Sequence, residues 1–248
     1  MLNNEHGAKK IIFLHIPKAG GTTLYSVIRK NYDANKIYTL AGTRQAMIEF
    51  MKMPREEINR YYCVQGHMGF GFHNYFDDDI KYITLMRDPI KRVISLYFYI
   101  LRTPQHYLHN LLTGARMGLK EFVESGATHE LYDGQTRLLA SESGLGITFD
   151  DKKKLDRGDA ELAKQHLRDH FALVGTLDQF DEFLIAAQRR LGWKEVSYEK
   201  KNISHKKTQI TDIDDHTFRT ISMNNEIDFE LYSYAQELFQ EKLTGYTQ

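Results

Sequence analysis

Short unbroken apolar runs alternate along the chain with stretches whose apolar residues recur every three or four positions. Residues 11–17 (IIFLHIP) form the first such run. An unbroken run of this kind predicts a strand covered on both faces. Residues 23–32 then place Leu24, Val27 and Ile28 on one helical face. Runs at 36–40, 61–64 (YYCV), 81–86 (KYITLM) and 171–174 (FALV) predict four further strands. The run at 81–86 enters Arg87-Asp88-Pro89, where Asp88 suits an N-cap and Pro89 a first helical position. The helix that follows has Ile90, Val93, Ile94, Tyr97 and Leu101 on one stripe, and Tyr97, Phe98 and Tyr99 read as core.

Residues 102–170 read as helical but irregular. A helix over 178–191 turns Phe180, Phe183, Leu184, Ala187 and Leu191 inward, gathers Arg189 and Arg190 at its end and stops at Gly192. A last helix over about 227–243 aligns Ile227, Leu231, Tyr234, Leu238 and Phe239. Strands alternating with helices predict an α/β domain around a mainly parallel sheet. The charged run 150–161 reads as a solvated loop and helix start. We therefore expect a flexible N-terminus over 1–9 and one domain over 10–248.

The turn after the first strand, Lys18-Ala19-Gly20-Gly21-Thr22-Thr23, has the composition of an anion cradle. Backbone N–H groups of a glycine turn and of the helix it opens converge on a ligand, and glycine lets the backbone come close. Two threonine hydroxyls and the Lys18 charge add to this. The turn is not G-x-x-x-x-G-K-[ST]: its lysine precedes the glycines, and no Ser or Thr follows it to share a metal. Arg87, at the end of the fourth strand, sits where open parallel sheets bind ligands. Arg92 and Ser95 share a helical face at i, i+3. An arginine and a serine there suit a second phosphate.

The chain has 248 residues, 42% hydrophobic and 12% aromatic, enough for a substantial core. Lys+Arg and Asp+Glu both number 33. That balance argues against a bulk nucleic-acid or membrane-surface binder and against a long polyanionic substrate. One cysteine, Cys63, a polar start (MLNNEHGAKK) and the lack of a span-length apolar run lead us to expect a cytoplasmic protein without a membrane span. Oligomeric state is not legible.

The segments IPKAGGTTL and LMRDPIKRVISLYFY together resemble the sulfotransferases that use PAPS (3′-phosphoadenosine 5′-phosphosulfate), in the family that includes heparan sulfate 2-O-sulfotransferase and its bacterial relatives. The weaker matches DGQTRLLAS (133–141) and KKNISHKK (200–207) follow in order. The resemblance implies a P-loop-NTPase-like fold, an α/β sheet flanked by helices. Lys18, Ala19, Gly20, Gly21, Thr22 and Thr23 would hold the 5′-phosphosulfate, and Arg87 and Ser95 the 3′-phosphate, with Lys206 and Lys207 as further candidates. It also implies no metal, since a sulfuryl group in transfer carries less charge than a phosphoryl group and Lys18 with a helix N-terminus can meet the leaving phosphate. The product would be PAP.

Transfer to an alcohol needs a base, and His67 is the candidate, following a strand and a glycine at the same sheet edge. The heparan sulfate relative has His-Gly-His where this chain has Gln65-Gly66-His67, so the match extends to the second histidine only. His15 reads as a core residue, and His73, His106, His109 and His205 stay in reserve. Gln65, Phe70 and Phe72 are candidates to contact the acceptor. Arg137 suits either a ligand or a structural carboxylate. The stretch 102–120 is a candidate acceptor wall. The acceptor is expected to be a hydroxyl compound: a glycan, a lipid-linked sugar or a small alcohol. An ATP- or GTP-dependent kinase on this scaffold, or a non-catalytic nucleotide-binding protein, are the alternatives.

Overall fold

A computed structural model of the chain describes residues 7–145, 154–199 and 213–244. Five strands, β1 (Ile11–Leu14), β2 (Ile37–Leu40), β3 (Cys63–Gly66), β4 (Lys81–Met86) and β5 (Phe171–Thr176), make one parallel sheet in the order β2-β3-β1-β4-β5. The helices are α1 (Gly21–Asn31), α2 (Arg44–Lys52), α3 (Arg55–Ile58), α4 (Pro89–Arg102), α5 (His109–Gly114), α6 (Leu119–Glu124), α7 (Gly134–Leu139), α8 (Arg157–His170), α9 (Phe180–Leu191), α10 (Asp215–Asn224) and α11 (Glu226–Thr244). The glycine turn leaves the central strand and opens the first helix, which is the expected P-loop-like arrangement.

The apolar run at β1 is unbroken because both its faces are covered. Side chains alternate across a strand: Ile12 and Leu14 join the core under α2, α7, α8 and α11, while Ile11 and Phe13 join the one under α1 and α9. All four are 0% exposed. A third cluster packs α4 against α5, α6 and α10. Asp88 caps α4 as expected, its carboxylate accepting from Lys91 N–H at 2.8 Å.

Two boundaries differ from the sequence pattern. β3 starts at Cys63 because Tyr61 still closes a turn, its N–H donating to Ile58 O. β1 stops at Leu14 where the chain begins to turn toward Pro17, which has no N–H to give. The ordered body also starts before residue 10: Ala8 is buried, and Lys9 N–H donates to Leu191 O at 2.8 Å. The carboxyl ends of β1, β3 and β4 lie side by side, so the glycine turn, His67 and Arg87 share one rim.

Candidate active site

The turn after β1 is packed too closely against Leu177 and His15 to carry side chains at its glycines. Gly20 has φ 86°, and a Cβ there would lie 2.6 Å from Leu177 Cδ1. A Cβ on Gly21 would lie 1.9 Å from His15 Nε2. Lys18 itself has φ 67°, a left-handed conformation costing a non-glycine residue about 1–2 kcal/mol. α1 opens with no side chain capping it and no acidic residue in its first turn. Its N-terminus, the positive end of the helix dipole, therefore opens on the rim without an acidic side chain of its own first turn to meet it, an arrangement that suits an anion. Thr22 is exposed and Thr23 half-buried at the same opening. Gly21→Ala must push the His15 ring aside. We expect it to cost about 1–3 kcal/mol, read as a lower Tm in a thermal melt; an unchanged Tm would mean the ring swings away freely.

Two histidines stack behind this turn. The rings of His15 (β1 side) and His67 (β3 side) are 4.2 Å apart with 28° between their planes. His15 Nδ1 shares a hydrogen bond of 2.8 Å with Tyr25 Oη on α1. His67 Nδ1 lies 2.8 Å from the backbone carbonyl of His15. A carbonyl only accepts, so the His67 proton sits on Nδ1 and the Nε2 lone pair is left for chemistry. Burial lowers the pKa of both rings, and the Lys18 charge lowers them further. For His15, the charge of His67 adds to this.

Lys18 is the centre of the site. Its ammonium lies 3.7 Å from the centroid of the Tyr99 ring on α4. Burial, with Arg87 and Arg102 nearby, brings its pKa down to about 8, against the pull of Glu130. Its carbonyl accepts from Arg87 Nη1 at 2.9 Å, so the two motifs that lie far apart in sequence meet here. Arg87 is held in turn by Gln135 of α7, which accepts from Arg87 N–H at 3.0 Å and donates to Arg87 O at 2.9 Å. Asp228 of α11 fixes the start of α7: it accepts from Gln135 N–H at 3.1 Å, and from Thr136 N–H and Oγ1 at 2.8 Å each. Asp228 N–H donates to Asp133, whose pKa burial and the Asp228 charge raise to about 7.

Several expected positions fall elsewhere. Arg92 does not share an open face with Ser95. It is 1% exposed, donates to Glu130 O and sits 3.9 Å from Asp228 Oδ2, because a buried carboxylate from α11 awaits it. Ser95 is half-buried one turn before Tyr99, on the side of α4 that meets Lys18. Phe70 and Phe72, 3% and 0% exposed, belong to the core and do not line an acceptor pocket. Their loop is pinned by Phe70 N–H to Leu138 O and Gly69 N–H to Gly144 O, and Phe70 stacks on His166 at 3.8 Å. Gln65 is 0% exposed, its amide donating to Thr39 Oγ1 on the neighbouring strand. Arg137 is 3% exposed and donates to Tyr132 O, a structural role. Tyr99 is not core but 37% exposed. Lys206, Lys207 and His205 lie outside the described residues. Gln135 and Asp228 were missed: DGQTR drew attention to its Thr-Arg, and Asp228 reads locally as an ordinary acid in a helical first turn.

The family model Sulfotransfer_2, described as "Sulfotransferase family", matches residues 5–235. The chain is 23% identical to heparin sulfate O-sulfotransferase of Drosophila melanogaster, over 93% of this chain and 72% of the relative. It is also 23% identical to heparan-sulfate 6-O-sulfotransferase 3 of Mus musculus, over 96% of this chain and 59% of that protein. A solved structure of mouse sulfotransferase SULT7A1 complexed with PAP aligns with 90% of this chain and 65% of that one, at 13% identity and a TM-score of 0.39, a likeness too low to argue from.

Proposed function

Because the chain belongs to the sulfotransferase family, we propose that it moves a sulfuryl group from PAPS to a hydroxyl of a saccharide, with His67 as base. The heparan sulfate enzymes it resembles support a glycan as the acceptor class. The observation that carries the reading is the place of Lys18: its carbonyl accepts from Arg87 Nη1 at 2.9 Å, which brings the second motif to the glycine turn, with the stacked His15–His67 pair on the same rim.

The residues present fit the donor. The uncapped α1 N-terminus, Lys18, Ala19, Gly20, Gly21, Thr22 and Thr23 would hold its 5′ end, on a turn packed so closely that a Cβ at Gly20 would meet Leu177 and one at Gly21 would meet His15. Arg87 and Ser95 would take the 3′-phosphate. The donor supplies an activated sulfuryl group on a phosphate leaving group. His67 Nε2 takes the proton of the acceptor hydroxyl as that oxygen bonds to sulfur. The Lys18 ammonium would meet the charge left on the bridging phosphate oxygen as its bond to sulfur breaks. In this reading Lys18, Arg87 and the helix N-terminus do the neutralising, with no metal assigned. Cys63 is free and buried, its thiol pKa raised by burial, and takes no part. Its isolation supports our placing the protein in a reducing cytoplasm. No helix among the described residues is long and apolar enough to cross a membrane.

Thermal melts with PAP test this. PAP is expected to raise Tm equally with and without chelator. Lys18→Ala and Arg87→Ala should each weaken PAP about 10- to 100-fold, as the loss of a charge-assisted hydrogen bond predicts. No response to PAP, or a response to ATP with Mg²⁺ in its place, would overturn the reading.

A further inference from the structure

Beside Lys18 runs an exposed aromatic row that the transfer chemistry leaves unused. Tyr99, under the Lys18 ammonium, meets His106 edge-on at 5.7 Å, and His106 stacks on Tyr107 at 4.7 Å with 26° between the planes. Tyr99 is 37% exposed and Tyr107 69%.

Tyr99 and Tyr107 are open to solvent, His106 is half-buried between them, and the row is held in place. Tyr107 Oη donates to Thr128 Oγ1 at 3.0 Å. Leu108 N–H donates to His106 Nδ1 at 3.2 Å, which leaves the ring proton on Nε2 as a donor. Rigid aromatic surface of this kind loses little entropy when a ligand covers it. Its natural partner is a flat apolar face with hydroxyls around the edge. A pyranose with equatorial hydroxyls has that shape, its axial C–H bonds making the face.

Positive charge gathers at the start of the row, where Arg87 and Arg102 stand near Lys18, while the nearby carboxylate of Glu130 is buried. Burial and the Lys18 charge also hold His106 below its ordinary pKa, so it is neutral at pH 7. The row begins at Lys18, whose ammonium lies over the Tyr99 ring.

We propose that Tyr99, His106 and Tyr107 form the acceptor subsite, and that it binds a pyranose residue by ring stacking. The proposal rests on the sulfuryl-transfer reading above, but its test does not need turnover. Saturation-transfer NMR with chitotetraose and cellotetraose, with PAP present, should show both sugars contacting the wild-type protein through their ring C–H protons. Titration should give an affinity about tenfold weaker for Tyr107→Ala and unchanged for Tyr107→Phe. High salt should leave it unchanged, since no ion pair is involved. PAP should raise the Tm of every variant as in wild type, which checks the fold. If Tyr107→Ala does not fold, Tyr107→Leu, which keeps bulk without a ring, must show the same loss.

Absence of binding by both neutral sugars, equal binding by Tyr107→Ala, or binding confined to a heparin oligosaccharide and abolished by salt would each overturn the subsite. A protein that stacks the neutral sugars but ignores PAP keeps the subsite and loses the transfer reading; one that answers PAP but neither sugar does the reverse.

Discussion

Alanine at His67 is expected to slow sulfuryl transfer by about 10²–10⁴-fold while leaving the PAP-induced rise in Tm intact. The expectation follows from how the ring is held. Its Nδ1 is occupied by the His15 carbonyl and its face by the His15 ring, so only Nε2 is left to take a proton. Burial and the Lys18 charge depress its pKa below the ordinary histidine value, so it is neutral, and fit to act as a base, at pH 7. The pH profile of kcat/KM, which reports the free enzyme, gives a second reading. A base must be unprotonated, so the acid limb lies below the usual histidine pKa of about 6.5. A cation that meets the leaving group must be protonated, so the alkaline limb lies near the Lys18 value of about 8. The residual activity of His67→Ala should lose the first limb and keep the second. Wild-type turnover in this variant would remove His67 from the mechanism.

Asp228→Ala should damage the donor site without touching it. The side chain is 0% exposed and accepts hydrogen bonds from Gln135 N–H, Thr136 N–H and Thr136 Oγ1, with the buried Arg92 guanidinium close by. Removing it leaves those donors and one cation buried without their carboxylate, a change that costs about 3–5 kcal/mol. At about 2–4 °C per kcal/mol for a chain of this size, Tm should fall by roughly 6–20 °C. PAP affinity should fall as well, because Gln135 then loses the backbone position from which it clamps Arg87. Thermal melts and a PAP titration measure the two effects. A variant that melts like wild type would show that the carboxylate is not needed to anchor α7.

The five strands and the placing of Lys18, His67 and Arg87 at their ends were legible because each is a local signal: an apolar run, then glycine or a charge. What failed was long-range. Phe70 and Phe72 sit among glycines, a context that suggests an open loop, but backbone bonds to Leu138 and Gly144 fold that loop onto the core. Arg92 lies off the apolar stripe of α4 and looks solvated until α11 supplies Asp228. Gln65 could not be told from a rim residue without knowing that β3 is an interior strand and that Thr39 stands beside it in register. Tyr99 belongs by spacing with its core neighbours, yet its ring emerges under Lys18.

The Asp228 anchor also fixes when this site can come into being. Every motif by which the family is recognisable, from Lys18 to Lys207, leaves the ribosome before α11 does. A nascent chain that has emerged only as far as α10 would hold the glycine turn, the histidine pair and Arg87, but not the carboxylate that seats α7 behind them. A fragment truncated before residue 226 would thus carry the family's signature without the carboxylate that anchors α7.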